Sequence, residues 1–285
     1  MSRSKNRPPR LVPAVPVAHE PQPLTLEARL EHAKVAGGGG SGPGPTELRR
    51  ILDRMASSDR RSLGELPPVP GLTAAEAWSA VTATYGATPE AATIDAARTL
   101  AATRAAAARI VEVAAAGARL AVATSRPASL LTVHMAWAKL ASGAGADIVD
   151  VADFGPIRAD GRSPRWLRWV GAVAVVTDGR ALCDTVDGEA AREWLFAVPR
   201  PALVVADGPF AEVAWDSGIE VIALAGLDRP GLAVAAARRG RGLVVPMRTD
   251  RPARAYAPIE EQIADTASGR DAVSEPRESG FGNEV

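Results

Sequence analysis

Residues 120–127, which indicate the fold class most clearly, read Leu120-Ala121-Val122-Ala123-Thr124-Ser125-Arg126-Pro127. Its first four residues are apolar without alternation, which is typical of a strand buried on both faces of a sheet. Two hydroxyl side chains and an arginine follow, and a proline suits the first turn of a helix. A buried strand that leads through a polar turn into a helix is the repeating unit of parallel α/β sheets.

The same alternation continues toward the carboxyl end of the chain. Helix candidates lie at residues 127–143, 188–196, 209–216 and 229–239. The β-rich runs between them are Ile148–Val151, Val173–Val176, Leu203–Ala206, Glu220–Ala223 and Gly242–Val245. Near-continuous apolar strands separated by helices predict a doubly wound α/β fold with a mainly parallel sheet.

The chain before this alternation favours helices. Leu48, Ile51, Leu52 and Met55 recur at helical spacing, and a second helix is predicted from Thr73 through Val81. A long helix follows, for which Thr88 is the predicted N-cap, Pro89 lies in the first turn and Gly117 follows the end. The stretch from Arg162 to Trp169 interleaves arginine with tryptophan. The favoured interpretation of this stretch is a helix that packs its aromatic rings on the sheet. The alternatives are a lid over a ligand and a contact with a protein partner.

Four regions follow from these patterns. Residues 1–44 are predicted to be a disordered Pro/Gly-rich tail and linker, with a possible short helix from Leu24 to Ala36. Residues 45–117 form a helical lead-in packed on the core, and 118–262 form the α/β domain. Residues 263–285 are predicted to be a disordered acidic tail.

Composition narrows the class of protein. The 285 residues carry 33 basic and 33 acidic side chains, and this balance argues against a dedicated nucleic-acid binder. No apolar run reaches the roughly 18–20 residues of a membrane span, and prolines interrupt the N-terminal region where a signal peptide needs an apolar stretch. Cys183 is the single cysteine, which excludes an internal disulfide and a cysteine-based zinc site. We expect a soluble, cytoplasmic protein with no membrane partner.

Ligands of open parallel sheets bind beyond the carboxyl ends of the strands, so the strand ends give the candidate site. At the first end, Thr124, Ser125 and Arg126 precede a helix start, and together they form a plausible anion cradle. An ordinary helix cap beside a surface arginine is the alternative interpretation of this turn.

The other strand ends supply carboxylates. Asp178 and Arg180 follow the third strand, Asp207 and Gly208 follow the fourth, and Asp228 follows the fifth. Oxygen ligands at one edge can hold Mg²⁺ or Mn²⁺, and a carboxylate there can activate water. The alternative is that each aspartate serves only turn or cap chemistry. The hypothesis requires Arg126, Asp178, Asp207 and Asp228 to share one cleft.

Several motifs resemble an actinobacterial α/β family described only as phosphatases. The resemblance runs from about Ala121 to Pro258, which is about half of the chain. It rests on Ala123–Pro127 with Leu130, Leu131 and His134 after it, on Val204–Gly208, on Leu227–Pro230, and on Val245-Pro246. The resemblance implies a phosphate-linked ligand.

The departures from the family pattern bear on turnover. Arg126 stands where the family has a histidine, a threonine–histidine pair is replaced by Cys183-Asp184-Thr185, and the histidine after Asp207 is missing. Only His134 remains in register. Two hypotheses stay open: a hydrolase acting on a small phosphorylated metabolite, and a catalytically silent member that binds a phosphometabolite or a protein partner.

The hydrolase hypothesis assigns a role to each candidate residue. The predicted phosphate-binding residues are Thr124, Ser125, Arg126, Gly208 and Arg180. The predicted catalytic residues are Asp207, His134 and Asp178, with His134 in a positioning or proton-transfer role. The predicted ligands of Mg²⁺ or Mn²⁺ are Asp178, Asp207 and Asp228.

Overall fold

The computed structural model describes residues 23–38, 42–57, 64–150, 154–157, 164–186, 188–240 and 242–268. The helices are α1 Leu26–His32, α2 Pro45–Ala56, α3 Ala74–Tyr85, α4 Ala96–Ala115, α5 Pro127–Gly143, α6 Glu189–Ala197, α7 Gly208–Asp216, α8 Gly231–Arg239 and α9 Ala257–Ala267. The strands are β1 Arg119–Ala123, β2 Asp147–Ile148, β3 Phe154–Ile157, β4 Arg165–Val170, β5 Val173–Thr177, β6 Leu182–Cys183, β7 Leu203–Asp207, β8 Glu220–Ala225 and β9 Leu243–Pro246.

The strands form a single mixed sheet in the order β3-β4-β5-β1-β7-β8-β9, with β2 beside β1 and β6 beside β5. The pairs among β1, β2, β5, β7, β8 and β9 are parallel, whereas β4 and β6 lie antiparallel to β5. Every residue of β5 and β7 is buried, as expected where helices cover both faces. The prediction of a doubly wound, mainly parallel α/β fold is confirmed.

The direction of winding reverses between β1 and β7. From β1 the chain passes through α5 toward β2 and β5, whereas from β7 it passes through α7 toward β8 on the other side. Right-handed crossovers then place α5 and α7 on opposite faces of the sheet. The adjacent carboxyl ends of β1 and β7 are therefore the topological switch point, where ligands of this fold class bind.

The long helix begins later than the sequence predicted. Its N-cap is Asp95, whose carboxylate accepts the N–H groups of Ala97 and Arg98, and not Thr88. The Thr88 hydroxyl instead accepts the amides of Glu90 and Ala91 in a separate turn. Between this turn and the helix, the side chain of Ile94 is buried and its backbone bridges to Gly37.

The interleaved arginine and tryptophan residues form strand β4 and not a helix. Gly171 adopts a positive φ of 59° between β4 and β5, and the two strands pair as a hairpin. The ring of Trp166 lies against Gly155 and Gly179, where a Cβ on either glycine would contact it at 2.6 and 3.4 Å. Arg162 lies outside the described residues.

Parts of both predicted tails are helical and packed on the body of the protein. Helix α1 lies inside the range assigned to the N-terminal tail, yet Leu30 and Val35 are completely buried. Helix α9 continues past residue 262 and buries Ile263. Residues 1–22 and 269–285 lie outside the described part of the chain. Within the described ranges, no helix combines the length and the apolar character required to cross a membrane.

Candidate functional site

The turn after β1 does not offer a free amide cradle. The N–H of Ser125 donates to Asp207 Oδ1 at 3.1 Å, and the N–H of Arg126 donates to the Thr124 hydroxyl at 3.1 Å. The next residue is Pro127, which has no N–H, and the amide of Ala128 bonds to the Asp184 carboxylate. The start of α5 thus binds the protein's own acceptors. Phosphate binding by Thr124 and Ser125 stays a prediction, and in this arrangement their hydrogen bonds go to the protein itself.

Asp207 joins the ends of β7 and β1 at the switch point. Its Oδ2 accepts the Ser125 hydroxyl at 2.5 Å, and both side chains are about 99% buried. Gly208 makes this approach possible, because a Cβ at this position would lie 2.5 Å from Ser125 Oγ. Its φ of 51° is also a conformation that glycine tolerates best. Gly208 therefore permits the close approach of Ser125, and its predicted role in phosphate binding stays a prediction.

His134 completes what we call the buried cluster, made of Ser125, Asp207 and His134. Its Nδ1 lies 3.0 Å from the carbonyl oxygen of Leu130, and its Nε2 lies 3.5 Å from Asp207 Oδ1. That second contact is too long or misaligned to count as a hydrogen bond, and Nε2 has no other partner in the described ranges. Burial lowers the pKa of His134, although Asp207 and the Leu130 carbonyl oppose the shift.

The buried cluster lies beneath the rim of the sheet, out of contact with solvent. His134 is fully buried, and Asp207 and Ser125 are each 1% exposed. In this arrangement neither Asp207 nor His134 presents an atom to a substrate. Their position supports a positioning role, and the predicted catalytic roles stay untested.

A solvent-facing cleft with a volume of about 210 Å³ lies beside the buried cluster. Arg126 reaches it from β1, Asp228 from β8, and Arg248 from β9. Arg126 Nη2 lies 3.4 Å from Asp228 Oδ2, so the sequence correctly placed these two side chains together. The remaining lining residues are Gly37, Gly42, Ala92, Ile94, Gly226, Leu227, Thr249 and Asp250. We refer to this space as the arginine cleft.

Arg248 is the cleft residue that the sequence analysis missed. Its backbone is held on both sides, because its N–H donates to the Val35 carbonyl at 2.9 Å and its carbonyl accepts the Tyr256 hydroxyl at 2.8 Å. Its Nη1 is buried and, as far as the chain is described, makes no hydrogen bond. The sequence does show an arginine directly after the sixth apolar run. At that strand end, however, only aspartates were considered as candidates.

Asp184 is a second residue near the candidate site to which the sequence analysis assigned no role. It lies near Arg126 and next to Thr185, whose N–H donates to the Ser125 carbonyl at 2.9 Å. Partial burial raises the pKa of Asp184; Arg126 and the Ala128 amide act in the opposite direction, and Asp207 reinforces the rise. Asp187, noted beside it in the sequence, lies outside the described residues.

Asp178 and Arg180 lie away from the arginine cleft. The exposed Asp178 carboxylate accepts the amides of Ala181 and Arg180, each at 2.8 Å, and these bonds lower its pKa. It therefore closes the turn between β5 and β6, as the turn-chemistry alternative proposed. The condition that Arg126, Asp178, Asp207 and Asp228 share one cleft is met by Arg126 and Asp228 only.

The predicted Mg²⁺ or Mn²⁺ ligands do not meet. Asp178 serves its own turn, Asp207 is bonded to Ser125, and Asp228 pairs with Arg126. No group of three or more His, Cys, Asp or Glu side chains suited to a metal ion occurs among the residues described. The three aspartates therefore do not fit a divalent metal, which needs several converging oxygen ligands.

Comparisons with known proteins were made for the whole chain. A family model described as Phosphatase matches residues 74–270. A curated protein named Phosphatase SCO2771, from Streptomyces coelicolor (strain ATCC BAA-471 / A3(2) / M145), is 31% identical over 160 residues. The alignment covers 54% of this chain and 59% of that relative's length. No solved structure matches the chain.

Proposed function

Since the chain belongs to the Phosphatase family, we propose that it hydrolyses a small phosphorylated metabolite whose phosphate binds between Arg126 and Arg248. One observation supports this assignment above the others. Arg248 lines the arginine cleft, and its Nη1 is buried and pairs with no group in the described ranges. A buried guanidinium N–H without a partner is costly, and a phosphate oxygen is the acceptor that its planar geometry suits.

Two guanidinium groups, of Arg126 and Arg248, line the cleft beside the carboxylates of Asp228 and Asp250. Arg126 is paired with Asp228, but at 3.4 Å that contact is loose, so the guanidinium can share its donors with a ligand. Arg248 approaches from a different strand and is held by backbone contacts at both its N–H and its carbonyl. Two arginines carried by separate elements can donate to different oxygens of one tetrahedral anion.

Two carboxylates line the cleft, those of Asp228 and Asp250, and Asp250 Oδ2 pairs with Arg251 Nη2 at 2.8 Å. Asp228 lines the cleft and contacts Arg126. In the proposed step, water attacks phosphorus as one of its protons passes to the Asp228 carboxylate. The phosphorus–oxygen bond to the organic group breaks, and the departing alkoxide takes a proton from solvent. The products are inorganic phosphate and an alcohol, and the two arginines stabilise the charge of the transferring group.

A second candidate is a silent member that binds the phosphorylated ligand without turnover. The observation in its favour is the burial of Asp207 and His134, the two residues that the sequence had favoured for proton transfer. The described residues that line the cleft include no histidine. Binding without release of phosphate would establish this candidate and reject hydrolysis.

The test measures release of inorganic phosphate from glycerol 3-phosphate and a panel of sugar phosphates, with Mg²⁺, with Mn²⁺ and with EDTA. We expect Arg248→Gln and Asp228→Asn each to lower kcat/KM by about 100-fold. Arg180→Gln is the matched control, because this arginine was also a predicted phosphate ligand but lies outside the cleft. Equal activity of Arg248→Gln and Arg180→Gln would reject the assignment of phosphate to the arginine cleft.

A further inference from the structure

We propose that the N-terminal segment Val35–Gly38, together with Gly42, is the wall of the arginine cleft that limits the size of the group attached to phosphate. This inference rests on the proposed function. Gly37 and Gly42 line the same cleft as Arg126 and Arg248. Both glycines lie before residue 74, where the match to the family model begins. The wall is thus built from a part of the chain outside the family match.

Backbone hydrogen bonds anchor the segment at the cleft. The Val35 carbonyl accepts the Arg248 N–H at 2.9 Å, and the Gly37 N–H donates to the Ile94 carbonyl at 2.6 Å. Gly37 has a φ of 81°, which a larger residue would adopt only with strain. The segment therefore fixes the position of Arg248 while its own glycines face the cleft.

Gly42 lies beside the guanidinium of Arg248, the side chain proposed to bind phosphate. A Cβ on Gly42 would lie 3.4 Å from Arg248 Nη2, so a side chain at this position occupies space beside the guanidinium. Gly44, two residues on, provides the contrast, because a Cβ there would have no described atom within 4 Å. A larger side chain at position 42 but not at 44 should reduce the room for ligand.

Helix α1 directly precedes the wall in the chain and is itself packed on the body of the protein. Leu30 is completely buried, and Arg29 Nη1 forms an ion pair with Glu261 Oε2 of α9 at 2.5 Å. Because α1 packs on the body of the protein, the segment that follows it begins from a fixed point. The wall is accordingly a constant boundary of the cleft, with its size set by the absence of side chains at Gly37 and Gly42.

The experiment compares Gly42→Leu with Gly44→Leu in the full chain, using calorimetric titration with inorganic phosphate and with glycerol 3-phosphate. We expect Gly42→Leu to weaken glycerol 3-phosphate binding by about tenfold or more, and inorganic phosphate binding by less. Gly44→Leu should bind both ligands as the unmodified protein does. Thermal unfolding of each variant checks its folding, and Gly42→Ala replaces Gly42→Leu if the larger side chain prevents folding.

The outcomes separate the two proposals. If the unmodified protein binds both ligands and the substitutions at 42 and 44 have equal effects, the wall is rejected while the phosphate site stands. If the unmodified protein binds neither ligand, the proposed function fails, and the wall fails with it. A loss confined to the Gly42 variant, larger for the organic phosphate, supports both.

Discussion

At the scale of single residues, burial separates the side chains that fix the strand ends from those that can meet a ligand. The sequence placed Asp207 and Arg126 at the correct strand ends, because apolar runs show where strands stop. It could not show that Ser125 donates twice to Asp207, since this contact joins residues 82 positions apart. The buried carboxylate therefore positions the turn, whereas the exposed Asp228 lines the arginine cleft.

His134 gives the first prediction, which concerns pH. Its pKa is lowered chiefly by burial, so below about pH 6.5 the unfolded chain binds a proton that the folded protein does not. The free energy of unfolding should then fall as pH falls from about 6.5, by up to about 1.4 kcal/mol per pH unit. Urea unfolding between pH 7 and pH 5 should show this slope in the unmodified protein and a smaller one in His134→Gln.

His32 supplies the control for this prediction. It lies on α1 and is exposed, apart from the buried cluster. We expect His32→Gln to keep the pH slope of the unmodified protein. A slope that survives in His134→Gln would contradict the assignment of a neutral, buried His134 beside Asp207.

At the scale of elements, the sequence predicted strands best where both faces are covered. The apolar runs at β1, β5, β7 and β8 have few alternative structures, because a continuous buried run needs a position inside the sheet. Strand β4 was predicted as a helix because its half-buried residues mix arginine with tryptophan. Its identity depends on pairing with β5, and the glycine turn at Gly171 was the local signal for that hairpin.

Glu212 gives a prediction at this scale because it ties three elements together. From α7, its carboxylate accepts Arg229 Nη1 at 2.7 Å and the N–H of Glu65 at 2.9 Å. Its side chain is only 3% exposed, so removing its charge leaves Arg229 uncompensated in a partly buried place. We expect Glu212→Gln to lower the free energy of unfolding by about 3 kcal/mol, measured by urea unfolding at pH 7.

The matched control is Glu261→Gln, because the Glu261 side chain is 47% exposed and its partner Arg29 is 36% exposed. Surface ion pairs of this kind contribute about 0–1 kcal/mol. If both substitutions have the same small effect, the Glu212 pair does not hold α7 to the Glu65 loop and the β8–α8 connection.

At the scale of the whole molecule, the arginine cleft assembles parts that are distant in sequence. Two of its ligand-facing groups, Arg126 and Asp228, could be predicted because strand ends of a parallel sheet meet at one edge. The contribution of Gly37 and Gly42 could not, since composition alone favours a flexible linker for a glycine-rich run. The backbone bond from Arg248 to Val35 shows that this segment belongs to the folded body.

Helix α1 therefore should unfold together with the α/β body, which the variant Leu30→Ala tests. Leu30 is completely buried, and replacing a buried leucine with alanine costs about 2–5 kcal/mol. Trp137 and Trp194 are buried in α5 and α6, so tryptophan fluorescence reports on the body and not on α1. We expect Leu30→Ala to lower the fluorescence-monitored midpoint, whereas Leu24→Ala, at a position 60% exposed, should change stability by less than about 0.5 kcal/mol. An unchanged fluorescence midpoint in Leu30→Ala would mean that α1 unfolds separately, and the cleft would then lack a fixed wall.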